Sequence, residues 1–243
     1  MNKMSLPKKI SPCPISEAIV EIRFDSPFPP DAIYGVVYNA FKESFPKPEN
    51  LPILQIPEPI RLQDPVLRFK PYYKLTNSGF IFQIGPKVCT LSSVKEYAGW
   101  TAFLAKIKVS FERLFDLEII DKVTRLGIRY INFFESNDIF DKVNLKILMG
   151  SEPFKNEHTI IRTSIKSGKF MSNLQIANKA ILNQGGQTQE GSIIDIDVVA
   201  IDIPQEDIKN KIIGLVEEGH YEEETLFFSL LEKSFLATLN PEY

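Results

Sequence analysis

Two segments far apart in the chain, SEAIVEIRF at 16–24 and TRLGIRYINFF at 124–134, alternate charged and apolar residues with a period of two. In the first, Ala18, Val20, Ile22 and Phe24 oppose Glu17, Glu21 and Arg23. In the second, Leu126, Ile128 and Tyr130 oppose Arg125 and Arg129. Side chains alternate across a strand, so each segment reads as a half-buried strand, and residues four apart share a face. The matched four-residue spacing predicts that the strands are antiparallel neighbours, with Glu17 near Arg129 and Glu21 near Arg125. Such cross-strand pairs contribute roughly 0.2–1 kcal/mol each when exposed. If the face is covered, removing one partner costs more, because the other is left desolvated. The first reading is a structural charge ladder of Glu17, Glu21, Arg125 and Arg129. The second is a groove in which the arginines, with Gly127 leaving room between them, receive an anionic ligand bidentately.

The rest of the chain extends this pattern. Ile33, Val37, Ala40 and Phe41 recur at helical spacing, with Pro30 in the first turn and Pro46 as a stop. The proline-rich stretch from Pro46 to Pro71 reads as an ordered connection with one strand near Ile60 to Phe69. Strands follow between the turns Asn77-Ser78-Gly79 and Gly85-Pro86. Ser93 and Glu96 have capping-box spacing ahead of a stripe of Trp100, Phe103, Leu104, Ile107, Phe111 and Leu114. That stripe predicts a helix ending near Phe115, with Trp100 largely buried. Further on, VNLKILMG, HTIIRTSIKS, KFMSNLQIANKAI and GSIIDIDVVAID alternate as antiparallel strands. Gly168 and the segment NQGGQTQEG, read as a mobile hairpin loop, supply connections. Two helical stripes close the chain, separated by a stop at Gly219. The implied class is α+β: a curved antiparallel sheet packed against long helices. The chain reads as one domain over 1–243, with a division into similar halves at 1–136 and 137–243 left open.

Several function classes lose support from composition. A formal net charge of -3 provides no general attraction for nucleic acid. A local basic patch of Arg162, Lys166, Lys169 and Lys179 remains the weakest candidate for that role. No apolar run approaches the ~20 residues of a membrane span, and the start has no apolar core of a signal peptide. Two cysteines without CxxC spacing suit a reduced, cytoplasmic setting.

Catalytic motifs are equally sparse. Asp195 and Asp197 share a strand face and could hold a hard cation or act as an acid/base pair. The expectation is instead an ion-paired face neutralised by Arg162, Lys166 and Lys179, with no metal or other cofactor. His158 and His220 accompany no nucleophile elbow. Cys89 reads as a small buried residue. The acidic run EEGHYEEE reads as a solvent-facing helix start.

PISEAIVEIRF, RLGIRYIN, IDIDV and the ending LNPEY together resemble a family of bacterial and archaeal proteins of unknown function, sporadically distributed among genomes. Glu17, Glu21, Arg129, Tyr130, Asn132, Asp195 and Asp197 match that family's pattern. The family has no assigned activity, so the resemblance transfers no catalytic residue. Its patchy distribution implies accessory or defence-type genes. The leading expectation is therefore a non-enzymatic interaction module acting with a partner protein, with self-association left open. The alternative is a small-ligand binder or enzyme, with a pocket between sheet and helices lined by Arg125, Arg129, Tyr130 and Asn132.

Overall fold

Among the described residues, a nine-stranded antiparallel sheet and five helices make up a mixed α/β fold. The computed structural model describes residues 6–94, 96–135, 138–153, 158–184, 187–201 and 203–243. In chain order the elements are β1 (Ile15–Asp25), α1 (Pro30–Phe41), β2 (Lys47–Asn50), α2 (Glu58–Gln63), β3 (Tyr73–Thr76), β4 (Phe80–Gly85), β5 (Val88–Val94), α3 (Trp100–Asp116) and β6 (Lys122–Phe134). Then come β7 (Leu148–Met149), β8 (Glu152–Pro153), β9 (Ile160–Ser167), β10 (Phe170–Gln184), β11 (Gln187–Ala200), α4 (Ile208–Leu230) and α5 (Lys233–Thr238). The large sheet runs β2-β3-β4-β5-β1-β6-β11-β10-β9, while β7 and β8 form a separate two-stranded ribbon. One sheet thus takes strands from both 1–136 and 137–243. Among the described residues, no helix is long and apolar enough to cross a membrane.

The period of two decides the two faces of the sheet. Phe82, Leu91, Val20, Ile128 and Val198 are partners in register across five strands, and each is fully buried. Phe103, Ile107 and Phe111 of α3, and Ile212 and Val216 of α4, join them in one core. Burying apolar area at about 25 cal/mol per Å² is what holds these layers together. On the other face Ser92, Ile19, Arg129, Asp197, Asn173 and Ser164 form a second row.

β1 and β6 are antiparallel neighbours, as their spacing predicts, but the register differs by two residues. Ile19 lies opposite Arg129 and Arg23 opposite Arg125, whereas Glu17 faces Ile131 and Glu21 faces Gly127. Residues 58–63 are helical and 67–69 form a 3-10 turn, in place of the strand expected near Ile60 to Phe69. Pro59 fits a first helical turn, and Asp64 caps the following turn by accepting the Val66 and Leu67 amides at 2.8 Å. Ser93 remains in the β5 ladder, paired with Ala18 and Phe80, so the expected capping box does not form. Helix α3 starts later, at Trp100, behind Gly99 at φ 85°. Of VNLKILMG, only Leu148 and Met149 are extended. Of NQGGQTQEG, the two central glycines lie outside the described residues. Around them the ladder continues as far as the Gln184–Gln187 pair.

Gly219 is not a stop. Helix α4 runs through it from Ile208 to Leu230. A β-carbon there would lie 2.6 Å from the Ile128 Cδ1, so the missing side chain lets α4 sit close on β6. Gly219→Ala is expected to destabilise by up to about 2 kcal/mol, an overpacking cost of roughly 1–3 kcal/mol less the helix-propensity gain. Urea unfolding measures it. A more stable variant would mean that Ile128 moves aside freely.

Candidate functional site

On the polar face, every arginine of the ladder has a carboxylate. Arg125 reaches Glu21 at 2.5 Å through Nη1 and Asp197 at 2.7 Å through Nη2. Its guanidinium folds into the space that a β-carbon on Gly127 would fill, so the glycine seats an arginine of the same strand and not a ligand. Arg129 holds Asp195 bidentately at 2.8 and 2.6 Å. Those hydrogen bonds hold the guanidinium above its ordinary pKa, against the opposing effect of burial. Arg23 shares Glu21 at 2.7 Å, which offsets the two like charges set opposite each other in register. Burial raises the Glu17 carboxyl, while a Ser92 hydrogen bond and the Arg129 charge partly oppose the rise. The aspartates are therefore neutralised by β6, the strand next to β11. Arg162 on β9 is two strands away and donates to Gln175 at 2.7 Å. Lys169 pairs with Glu218 at 2.6 Å. Among the described residues, no three of His, Cys, Asp and Glu gather as a metal ion needs.

The sheet separates the four proposed pocket residues. Arg125 and Arg129 lie on the polar face, with Tyr130 and Asn132 on the helix-covered one, so the four do not line one pocket. On the covered face, Tyr130 (2% exposed) and Asn132 (2% exposed) line a cavity of about 320 Å³. Its opposite wall is α4, which contributes His220, Glu223, Glu224 and Phe227. Tyr97 and Trp100, ahead of and at the start of α3, form a third side. The rim comes from residues 7–15, including Lys8, Lys9 and Cys13. That segment is strapped to the 239–242 stretch by Lys8 N to Glu242 O at 2.6 Å and Ser11 N to Leu239 O at 2.7 Å.

The lining combines aromatic rings with ill-matched polar groups. Trp100 is partly buried, less than its stripe predicts, because it is the first residue of α3 and lines the cavity, where it stacks on His220 with ring centroids 3.7 Å apart. The Tyr97 and Tyr130 hydroxyls are 3.1 Å apart, and burial first of all raises both phenols. His220 Nε2 lies 3.3 Å from a Glu224 oxygen, while its buried Nδ1 has no partner. Glu223 is 4% exposed, and among the described residues its carboxyl has no hydrogen bond. Desolvation pushes that carboxyl well above the ordinary carboxylate range, and the neighbouring Glu224 charge adds to the rise.

Sequence reasoning missed Glu223 by treating the acidic run as a solvent-facing helix start. The signal was present. Ile212, Val216, Gly219, Glu223, Phe227 and Leu230 continue one helical stripe, and Glu223 is the single charge within it. His158 sits exposed just before β9, away from this cavity, and Cys89 is buried in the core with its thiol raised by burial. Comparison with protein-family models and comparison with curated proteins each find no match to this chain.

Proposed function

We propose that the protein binds a small organic molecule in the cavity between the sheet and α4. One observation carries this reading: Glu223, 4% exposed and without a hydrogen bond among the described residues, and the buried, unpartnered His220 Nδ1 line one aromatic cavity of about 320 Å³. That volume lies at the small end of the ~300–1,000 Å³ usual for ligand pockets. An unsatisfied buried polar group costs about 1–3 kcal/mol, a cost that a bound ligand relieves. Tyr130 and Asn132 keep their proposed role, whereas Arg125 and Arg129 belong to the ladder. We read the protein as a binder and not an enzyme, because among the described residues His220 hydrogen-bonds no hydroxyl or thiol that it could activate. Native mass spectrometry of protein purified without denaturation is expected to show a small-molecule adduct, lost in Trp100→Ala while the far-UV dichroism is kept. Wild-type protein that flies at the bare chain mass, with a Tm unmoved by a fragment library, would overturn the reading.

The partner-protein reading draws on β9, the outer strand of the sheet, where Ile160 is 61% exposed. It predicts that Ile160→Lys disrupts co-purification of that partner. Two finer features are inferred as well. The sheet is curved and built from two equivalent halves: β5 returns beside β1 before α3, and β11 returns beside β6 before α4. A reduced, cytoplasmic setting is inferred from Cys13 and Cys89, both of which are free thiols.

A further inference from the structure

We propose that the cavity takes a primary ammonium or guanidinium group on a short apolar body, with Glu223 as its acceptor and the aromatic rings as its walls. This rests on reading the cavity as a ligand site and specifies which chemistry it selects. The unmet groups in the lining point one way. When ionised, the Glu223 carboxyl only accepts hydrogen bonds, and it has no donor among the described residues. In a neutral His220 ring with its proton on Nε2, the nitrogen 3.3 Å from a Glu224 oxygen, the unpartnered Nδ1 is an acceptor too. Two acceptors without donors call for a ligand rich in N–H groups. A carboxylate or phosphate would add further acceptors beside Glu223 and Glu224, and like charges at such range repel strongly in a water-poor site.

The walls favour the same choice. Trp100, Tyr97, Tyr130 and Phe227 line the same cavity as the carboxyl, with Tyr97 edge-on to Tyr130 and Trp100 stacked on His220. A cation over an aromatic face gains about 0.5–2 kcal/mol, more as water is excluded. Asn132 spends one of its two amide N–H groups on the Ile194 carbonyl at 3.3 Å. The cations present, Lys8 and Lys9, lie on the exposed rim, where solvent screens them, and Lys9 is 3.9 Å from Glu242. A metal ion is a poor substitute, because among the described residues no third carboxylate, thiol or imidazole completes a set with Glu223 and Glu224.

Three probes that share one ring and differ in the end group test this: phenethylamine, 2-phenylethanol and phenylacetate. Isothermal titration at neutral pH is expected to rank the amine at least tenfold above the alcohol, with no binding of the carboxylate. In Glu223→Gln, which is nearly isosteric and removes the buried charge, the amine should fall to the level of the alcohol while the alcohol stays unchanged. An alcohol or carboxylate that binds the wild type as well as the amine does would overturn the ligand class and leave the cavity reading standing. Binding of none of the three would defeat both. The ranking in wild-type protein needs no variant, so poor folding of Glu223→Gln would not spare the proposal.

Discussion

Arg125→Met is expected to destabilise the protein by roughly 2–4 kcal/mol, the largest loss available from one charge on the polar face. Among the described residues, its guanidinium alone bonds both Glu21 on β1 and Asp197 on β11. The three side chains are 19–25% exposed, so the loss falls short of that for a fully buried pair but well above a surface pair's ~0–1 kcal/mol. Methionine keeps the apolar stem and removes the charge, leaving two carboxylates on one face. A double-mutant cycle with Asp197→Asn should recover about 0.5–3 kcal/mol of the loss, the coupling usual for residues in one network. Urea unfolding that shifts by less than about 0.5 kcal/mol would show the ladder to be solvated decoration. The same result would reopen Arg125 as a site for an anion.

Glu223→Gln is expected to raise stability at neutral pH, and the gain should depend on pH. The folded protein holds this carboxyl well above its ordinary value of 4.5, chiefly because burial penalises the charge. Between the unfolded and folded values the native state binds the extra proton, so the stability due to Glu223 falls as pH rises from about 4.5. It levels off once pH passes the folded value. Each unit of that elevation corresponds to about 1.4 kcal/mol. The difference between variant and wild type should therefore be small near pH 4 and grow towards neutrality. The other groups facing the cavity, namely Tyr97 and Tyr130, His220 and Glu224 on α4, and Cys13, Lys8 and Lys9 on the rim, are common to both proteins, so the difference reports Glu223 together with its coupling to them. Parallel melting curves across pH 4–8, or a variant less stable at every pH, would mean that Glu223 is solvated in solution. Phenethylamine should flatten the wild-type curve, because a bound cation stabilises the ionised carboxyl.

The amino-acid sequence by itself determined the sheet's two faces and most of its strands. Alternation is a local property: Val20 and Glu21, or Ile128 and Arg129, must point apart whatever lies beside them. It also determined α1 and α3, whose apolar spacing matches one buried stripe, and the adjacency of β1 and β6. Tertiary structure decided what depends on distance across strands and helices. Periodicity does not set register, so the arginines meet Asp195 and Asp197 from β11 as well as Glu21, at positions two residues from the predicted match. Proline content left residues 58–63 ambiguous, because Pro59 suits a helix start as well as a turn. Gly219 reads locally as a stop, and only the approach of α4 to Ile128 makes it a point of contact. The cavity is the clearest case. Tyr130, Trp100 and Glu223 are far apart in the chain, and each looks ordinary in its own element. Only helix-on-sheet packing brings them together around a largely buried carboxyl with no partner among the described residues.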